Sequence, residues 1–295
     1  MPPSGCDAQK PVPELPEVET ARRITESTLV GKTLTGVELR LPKVLRDSPI
    51  DSVEPLIGAT VMGARRRAKI MIIDWSNDLS MMVHFKLAGQ WAVISPNGER
   101  AVAGHPVPHP YGEYPHKSTH ATLTFEDGTI VQYSDIRQFG WWRILPTEDV
   151  AAAIDEFGYG PEATEPLDIA LLAPVMMRRG IPIKTLLLDQ TYIAGLGNIY
   201  VDEVLWRARV HPATHANKLS AIKRNTILRE IPPVIAEGIR QGGAKIVHNI
   251  AHPVDGFPAV HGRAGEPCLR CGTEIVKLRV GQRGTYICPK CQKLT

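Results

Sequence analysis

The chain lacks a long apolar run, a secretion signal and any cysteine between Cys6 and Cys268. No uncharged apolar stretch reaches the roughly 18 residues that a membrane-spanning helix requires. The first dozen residues do not contain the apolar block of a signal peptide. Internal repeats and low-complexity tracts are also absent. These absences argue against a membrane or secreted protein, so we expect a cytoplasmic protein.

Length and composition favour a globular protein of several domains. The 295 residues exceed a typical single domain and suggest two or three. The hydrophobic fraction of 43% is sufficient for their cores. A net charge of +3 makes the chain mildly basic, which permits a nucleic-acid partner without requiring one.

The first half of the chain has the pattern of a helix followed by a β-rich domain. Pro16 marks the start of a helix over Glu17 to Val30, whose apolar positions follow a helical period. From Lys32 to about Leu145, short β-rich runs alternate with turn signals, which predicts an antiparallel sandwich or barrel. The runs are TVMGAR, KIMIIDW, MMVHF, QWAVI, HATLTF and TIVQYS.

The second half of the chain is predominantly helical. Residues 146–166 have the pattern of a connector with a short helical turn, and from Gly262 the composition shifts to glycine, basic residues and cysteine. Between them, two glycine-bearing breaks, AGLGN and QGGAK, separate apolar helical segments. These segments are LDIALLAPVMMRR, IKTLLLDQ, IYVDEVLWRA, LSAIKRNTILREI and PPVIAEGIRQ.

Four of the five cysteines lie in the last 28 residues, as two CxxC pairs with sixteen residues between them. This clustering in a chain without a secretion signal favours a metal over disulfides. Each pair can reach one ion from a tight turn, and four thiolates in tetrahedral geometry bind Zn²⁺ and leave no position for a catalytic water. We therefore predict one structural zinc ion held by Cys268, Cys271, Cys288 and Cys291.

The segment between the cysteine pairs is almost wholly basic. IVKLRVGQRGTYI carries Lys277, Arg279 and Arg283, whereas an ordinary solvated face mixes charges of both signs. A rigid hairpin with an arginine at its tip suits a nucleic-acid groove or a phosphate. This segment favours a nucleic-acid partner.

The AGLGN break directly precedes an apolar helical segment. Backbone amides of a glycine turn before a helix start can bind phosphate with the aid of the helix dipole, and Asn198 would add a side-chain donor. An ordinary corner between two helices explains the glycines equally well. No βαβ pattern surrounds them, which argues against a dinucleotide site.

Three separated motifs occur in a highly specific order and spacing: PELPEVET near the start, GLGNIY in the middle and CPKCQK at the end. With intermediate matches such as RRAK, HFKLAG and DIRQFG, they make the chain from Pro13 onward similar to the formamidopyrimidine-DNA glycosylase family, which repairs DNA containing oxidised purines. The resemblance implies an α+β multidomain fold with an N-terminal helix and antiparallel β-sandwich, a helix-two-turn-helix DNA-binding domain and a four-cysteine zinc-finger hairpin. The boundaries that we expect are 1–12 for a leader, 13–147 for the catalytic sandwich, 148–166 for a linker, 167–262 for the helical domain and 263–295 for the zinc finger.

The resemblance also implies a nucleophile, the N-terminal proline of that family, which corresponds to Pro13. A secondary amine that attacks C1′ forms a cationic iminium with the opened sugar, and this electron sink permits β- and δ-elimination of the phosphates. Glu14 corresponds to the general acid–base carboxylate and Glu17 to a supporting one. Judged from the residues alone, both glutamates could instead cap the dipole of the first helix, and for Glu17 the two roles can coexist.

Other residues match the family's contacts with DNA. Lys69 corresponds to a lysine that contacts phosphate at the lesion, although a lysine that merely opens a strand is the alternative. Arg283 corresponds to the zinc-finger arginine that grips the lesion's backbone. His120 and Asn198 match phosphate contacts, and Lys184 matches a supporting lysine near the active site.

A further group of residues matches the positions that fill the void left when the damaged base is flipped out of the duplex. These positions are Leu87, Arg137 and Phe139. Arg137 is suited to contact the cytosine that loses its partner when the base is flipped. Phe139 is suited to insert between neighbouring bases. The alternative is that Leu87 and Phe139 are core residues of strands.

The chain departs from the family pattern at three places. Leu87 replaces the usual methionine, Gln138 replaces a common second arginine, and the stretch after Gly243 is several residues short. In the family, part of that stretch caps a flipped 8-oxoguanine. We therefore expect excision of formamidopyrimidines with more assurance than excision of 8-oxoguanine. We also expect a monomer that acts on damaged double-stranded DNA and has no membrane partner. An oxidised-pyrimidine glycosylase of the endonuclease VIII type is the alternative enzyme.

The leader, residues 1–12, decides whether Pro13 can act. If it is retained, the Pro13 nitrogen is a tertiary amide and no nucleophile, and a non-catalytic protein that binds lesion DNA is the alternative. Valine is what an internal GTG codon encodes, and GTG as a start codon is decoded as methionine. Translation from Val12 would give Met-Pro-Glu-Leu, and methionine removal would expose Pro13. We therefore expect that the leader is not translated.

Overall fold

A computed structural model describes residues 13–106, 109–110, 112–247 and 250–294. Clustering of contacts divides the chain into two compact units, with the boundary between Gly158 and Tyr159. The first unit contains two α-helices and two antiparallel sheets, and the second contains helices and two small hairpins. The predicted α+β fold is confirmed.

Helix α1 (Leu15–Leu29) begins two residues earlier than the sequence predicts. Glu14 is its N-cap, and the backbone N–H of Glu14 donates to Oε2 of Glu17 at 3.0 Å. This bond satisfies a backbone donor at the helix start. Pro16 lies within the first turn, where a proline displaces no helical hydrogen bond, rather than before it. The helix buries one apolar stripe, which includes Leu15, Val18, Ala21 and Leu29.

The two sheets of the first unit form the predicted sandwich. One has five strands in the order β1-β7-β8-β5-β6, and the other has four in the order β2-β3-β4-β9. Every neighbouring pair is antiparallel. The strands are β1 (Leu34–Leu39), β2 (Val61–Arg67), β3 (Ile70–Trp75), β4 (Leu79–His84), β5 (Gly89–Ile94), β6 (Arg100–Gly104), β7 (Thr119–Phe125), β8 (Ile130–Asp135) and β9 (Trp141–Pro146).

One hydrophobic core lies between the sheets and α1, and it includes Trp91, Tyr133 and Trp142. The six β-rich runs read from the sequence all became strands, whereas β1, β6 and β9 were missed. The three missed strands are all at sheet edges. β1 and β6 carry polar residues and glycine that weaken their apolar pattern, whereas β9 is mostly apolar and buried.

Helix α2 (Val150–Asp155) closes the first unit, after a 3₁₀ turn at Thr147–Asp149. The second unit contains α3 (Ile169–Arg178), α4 (Ile183–Leu187), α5 (Asn198–Arg207) and α6 (Ala221–Arg240). The hairpins pair β10 (Ile246–Val247) with β11 (Ile250–Ala251) and β12 (Val276–Val280) with β13 (Arg283–Ile287). The predicted glycine-bearing break AGLGN leads into α5, which begins at its last residue, Asn198.

Helix α6 corrects a prediction, because the sequence suggested two helical segments that meet at Pro232 and Pro233. The structure has one helix of 20 residues through both prolines. Each proline removes one backbone hydrogen bond. The buried side chains of Ile231, Val234 and Ile235 continue the apolar stripe across the prolines, and this packing outweighs the lost bonds.

Within the described residues, no helix has the length and apolar character needed to cross a membrane.

Candidate active site and DNA interface

Pro13 and Glu14 lie at the start of α1, where the chain enters the core of the first unit. Pro13 is buried, and the exposed fractions of Glu14 and Glu17 are 2% and 7%. Because the N–H of Glu14 donates to the Glu17 carboxylate, Glu17 holds the backbone next to Pro13. The supporting position predicted for Glu17 therefore has a geometric basis, and it coexists with capping of the helix.

The turn that carries Lys69 is tied to α1 through one arginine. The turn consists of Ala68, whose φ is +50°, and Lys69, between β2 and β3. The guanidinium of Arg66 donates from Nη1 to the carbonyl of Ala68 at 2.7 Å and from Nε to Glu19 of α1 at 3.2 Å. Arg66 therefore holds the turn and the helix of Pro13 in one arrangement.

Glu19 is the carboxylate that anchors this link, and it is ionised. Burial raises the pKa of Glu19, but hydrogen bonds from Arg22 and Arg23 and the charge of Arg66 outweigh that effect, so its pKa lies below the ordinary value. An ionised Glu19 attracts Arg66 most strongly. Neither Glu19 nor Arg66 was among the residues predicted from the sequence.

His84 is a further residue that the sequence analysis missed, although it belongs to the HFKLAG motif. Desolvation of its ring and the nearby charges of Lys86 and Lys69 hold the pKa of His84 well below its usual range. Its Nδ1 accepts a hydrogen bond from the backbone N–H of Lys86 at 2.9 Å. The ring is therefore neutral.

The loop Asp135–Gly140 carries two of the predicted void-filling residues and is held from two sides. The buried Asp135 carboxylate accepts hydrogen bonds from the backbone N–H groups of Arg137 at 2.9 Å and Gly140 at 2.8 Å. The guanidinium of Arg46 donates to the carbonyls of Phe139 at 3.1 Å and Gly140 at 3.3 Å. Asp135 and Arg46 thus fix the backbone from which Arg137 and Phe139 project.

The side chains of residues 137–139 of this loop are exposed. Phe139 is 47% exposed, and the Arg137 guanidinium carbon lies 5.2 Å from the centre of its ring. The alternative of a strand-core position for Phe139 is therefore wrong. Leu87 is half-buried in the turn between β4 and β5, outside either strand. Gln138 has a φ of +57°, a left-handed conformation that is unfavourable for most side chains.

Gly140 is the position of the loop that tolerates substitution least. A Cβ placed there would collide with the hydroxyl of the buried Tyr133 and would lie 3.0 Å from Asp135 Oδ2. We expect Gly140→Ala to lower the free energy of unfolding in urea by about 3 kcal/mol, as overpacking does in a rigid core. Gly63→Ala is the matched control, because a Cβ there meets no atom within 4 Å. Equal stability of the two variants would contradict this account of the loop.

His120 has a different position from the one expected of a phosphate ligand. It is 7% exposed on β7, and its Nε2 lies 2.8 Å from the carbonyl oxygen of Asp135. A carbonyl accepts, so Nε2 carries the proton. In this structure His120 supports the start of the Asp135–Gly140 loop, and its contact with phosphate stays a prediction.

In the second unit, the loop before α5 is organised by one glutamine. Oε1 of Gln190 accepts from the N–H of Gly195 at 3.0 Å, and its Nε2 donates to the carbonyls of Leu188 and Leu196. Gly195 has a φ of +97°, which favours glycine. Gly197 is the N-cap of α5 and forms no side-chain cap hydrogen bond.

Arg283 begins β13 directly after a two-residue turn. Gly281 and Gln282 have φ values of +53° and +62°, the conformation of the primed turns that suit hairpins. A Cβ on Gly281 would lie 2.6 Å from Oγ1 of Thr185 in α4. The hairpin tip is therefore packed against a helix, and the Arg283 side chain is exposed.

Asn198 and Lys184 both contact the residue after Arg283. Nδ2 of Asn198 and Nζ of Lys184 donate to the carbonyl of Gly284 at 3.0 and 3.1 Å. Lys184 is completely buried and forms an ion pair with Asp202 at 2.6 Å. In the structure Lys184 supports the Arg283 hairpin from the interior, and its place near the active site stays a prediction.

The four C-terminal cysteines come together as predicted. Their sulfur atoms all lie within 4.8 Å of one another, and Sγ of Cys271 is 3.5 Å from the sulfurs of Cys288 and Cys291. Four thiols at this spacing suit the tetrahedral coordination of Zn²⁺. A small hydrophobic cluster that includes Val260, Ile275 and Tyr286 surrounds them.

Comparison with known proteins gives three family matches along the chain. Residues 12–142 match the model of the formamidopyrimidine-DNA glycosylase N-terminal domain. Residues 158–249 match the H2TH domain of the same glycosylase. Residues 265–294 match a zinc finger found in FPG and IleRS.

Relatives cover nearly the whole chain. The formamidopyrimidine-DNA glycosylase of Streptococcus thermophilus is 37% identical over 293 residues, which is 96% of this chain and 100% of the relative. That of Enterococcus faecalis is 36% identical over 96% of this chain and 98% of the relative.

The chain belongs to the formamidopyrimidine-DNA glycosylase family.

Solved structures agree with this assignment. The Lactococcus lactis Fpg in complex with DNA containing an abasic site has a TM-score of 0.82 and 33% identity, and the match covers 95% of this chain and 99% of that one. The same Fpg with DNA containing FAPY-dG also has a TM-score of 0.82 and 33% identity, over 95% and 100% of the two chains. The predicted enzyme class is the class of this family, and the predicted structural zinc ion is confirmed.

The zinc centre of this glycosylase has an outer contact that the sequence did not reveal. The indole Nε1 of Trp206, in α5, donates to Sγ of Cys268 at 3.4 Å. Burial raises the pKa of the Cys268 thiol, but hydrogen bonds led by that of Trp206 outweigh it and lower the pKa. The guanidinium carbon of Arg270 lies 4.2 Å from the centre of the Trp206 ring. Trp206 therefore stabilises the thiolate form that binds metal.

We expect Trp206→Phe to release zinc more readily than the natural chain. The substitution keeps an aromatic ring and removes the hydrogen bond to Cys268, and loss of such an outer contact lowers metal affinity about 10- to 100-fold. Competition with a chromogenic chelator measures the change. Arg270→Met is the control, because it leaves the indole N–H in place. Unchanged zinc affinity in Trp206→Phe would contradict this role.

Proposed function

We propose that the chain is a bifunctional DNA glycosylase and AP lyase of base-excision repair that removes oxidised purines. The observation that carries this proposal is the placement of Pro13 and the nearly buried Glu14 at the start of α1, with Glu17 holding the backbone between them. The family membership supports it. Formamidopyrimidines are the preferred lesions, and 8-oxoguanine is secondary.

In the proposed reaction, the Pro13 amine attacks C1′ of the damaged nucleotide. Glu14 protonates O4′, and the C1′–O4′ bond of the sugar ring opens. The bond between C1′ and the base then breaks, and the base leaves with the proton that the Pro13 nitrogen loses. The resulting iminium between Pro13 and C1′ withdraws electrons from the sugar. Elimination at the β position and then at the δ position releases the two flanking phosphates, and hydrolysis returns the free amine.

Other residues of the chain hold the DNA during this reaction. Lys69 and Arg283 contact phosphates at the lesion, and both are placed by structured turns. Asn198 contacts phosphate at the start of α5, where the helix dipole favours an anion. His120 contributes a further phosphate contact, and Lys184 supports the Arg283 hairpin.

Three side chains occupy the space that the flipped base leaves. Arg137 and Phe139 project from the loop that Asp135 and Arg46 hold, and Leu87 projects from its turn. Arg137 pairs with the widowed cytosine, and Phe139 separates the neighbouring bases. The exposure of Phe139 favours this role over packing in the core.

The mechanism requires a free amine on Pro13, so the active form begins at that residue. Residues 1–12 lie outside the described part of the chain. We also propose that the protein acts as a cytoplasmic monomer on damaged duplex DNA. Its domains have the boundaries stated above: a catalytic sandwich over 13–147, a linker over 148–166, a helical domain over 167–262 and a zinc finger over 263–295.

The preferred lesion is tested by measuring base excision from duplexes that differ only in the damaged base. We expect faster release of a formamidopyrimidine than of thymine glycol from otherwise identical duplexes. A preference for thymine glycol would instead support the endonuclease VIII type of activity. Binding without release of either base would support a non-catalytic protein and overturn the proposal.

A further inference from the structure

Asp202 of α5 is a buried carboxylate at which three parts of the second unit meet. It has no exposed surface, and its Oδ1 accepts from Nζ of Lys184 at 2.6 Å. Its Oδ2 lies 2.7 Å from Nδ1 of His261 and accepts from the backbone N–H of Tyr286 at 3.1 Å. Removal of one partner from such a buried charge is strongly unfavourable, so the three contacts hold one another in place.

The same group of side chains controls one edge of β13. Tyr286 donates its N–H to Asp202, and the carbonyl of Gly284 accepts from Lys184 and Asn198. These side chains take the place of a third strand beside β13, whose other edge pairs with β12. Gly284 directly follows Arg283, so a shift of its carbonyl would redirect the arginine.

His261 is itself fixed to α5 through its backbone. Glu203, the neighbour of Asp202, has no exposed surface and accepts from the N–H groups of Ala259, Val260 and His261 at 2.8 to 2.9 Å. The imidazole therefore cannot follow Asp202 if that carboxylate moves. Because His261 is only 8% exposed, water does not readily replace it as a donor to Oδ2.

We propose that His261 and Asp202 are positioning residues for Arg283. His261 fixes Asp202, Asp202 fixes Lys184 and Tyr286, and these set the carbonyl of Gly284 and the direction of the Arg283 side chain. This inference rests on the proposed function in one respect: Arg283 grips the DNA backbone at the lesion. Their effect on binding passes through Arg283, because their hydrogen bonds hold the backbone of β13 beside it.

A double-mutant cycle tests the inference on the full chain with its zinc ion. His261→Leu removes the donor to Asp202, whereas His261→Asn keeps a donor close to the position of Nδ1. Each is made alone and with Arg283→Ala, and the dissociation constant for a duplex that contains a non-cleavable abasic-site analogue is measured over a range of salt concentrations. Zinc content and melting temperature show that each variant is folded.

We expect His261→Leu to weaken binding about tenfold and to lower the salt dependence by about one phosphate contact, as loss of a cationic phosphate contact does. His261→Asn should bind within about threefold of the natural chain. In the Arg283→Ala background, His261→Leu should have no further effect, because coupled residues are not additive. If His261→Leu does not fold, His261→Gln carries the same comparison.

Equal losses from the histidine substitution with and without Arg283 would overturn the inference, and so would full binding by His261→Leu. An Arg283→Ala variant that binds as tightly as the natural chain would overturn it as well. The proposed glycosylase reaction is judged separately, because borohydride trapping of the natural chain depends on Pro13 and is independent of this cycle.

Discussion

Protein that begins at Pro13 forms an adduct with abasic-site DNA that borohydride traps, and the same protein with residues 1–12 attached forms at least about 100-fold less. The reason is chemical: an N-terminal proline is a secondary amine, whereas an internal proline nitrogen is a tertiary amide with a delocalised lone pair. Loss of a nucleophile is among the most severe changes to a covalent mechanism. The yield of adduct on a denaturing gel measures the effect.

Binding separates the two ways in which the leader can act. Both forms are titrated against a duplex with a non-cleavable abasic-site analogue. Retained binding with lost trapping locates the defect at the Pro13 nitrogen, whereas loss of both places the leader in the path of DNA. Equal trapping by the two forms would contradict the assignment of Pro13 as nucleophile.

Glu14→Gln has the second large effect. Glutamine keeps the size of the side chain and leaves the Glu14 N–H bond to Glu17 intact, so the start of α1 should be preserved. It cannot supply a proton, and loss of a general acid–base group slows a reaction about 10²- to 10⁴-fold. We expect base release from a formamidopyrimidine duplex, measured in single-turnover assays, to fall by this amount.

The same variant should react more readily with a preformed abasic site. There the base is already absent and the sugar is already an aldehyde for part of the time, so less depends on a proton from Glu14. Glu17→Gln is the matched control, because it alters the neighbouring carboxylate without removing the proposed acid. Base release by Glu14→Gln at the rate of the natural chain would exclude it as the acid.

The sequence was sufficient for features in which a local pattern has one physical solution. Two CxxC pairs predict a four-sulfur zinc site because few other arrangements use thiols at that spacing, and the structure brings all four sulfurs together. Six strands of the sandwich, including the edge strand β2, were recognised by their β-rich runs, while the edge strands β1, β6 and β9 were not. For helix α6 a local pattern was misleading: two prolines suggested a break, but the packing of the apolar stripe keeps one continuous helix.

The supports of the candidate site could not be read from the sequence, because their partners are distant along the chain. Arg46 is 93 residues from Phe139, and His261 is 59 residues from Asp202. Lys184 was matched by resemblance alone, and its burial against Asp202 is a property of the folded unit. Only the folded structure shows which charged side chains are in contact. These contacts hold the residues that the sequence motifs identified.

The central claim is that the nucleophile is the nitrogen of Pro13. The most direct measurement is digestion of the borohydride-trapped adduct and location of the DNA remnant by mass spectrometry. The account predicts that the remnant is attached to the amine of a peptide that begins with Pro13-Glu14-Leu15. A remnant on a lysine side chain, such as that of Lys69, would contradict it.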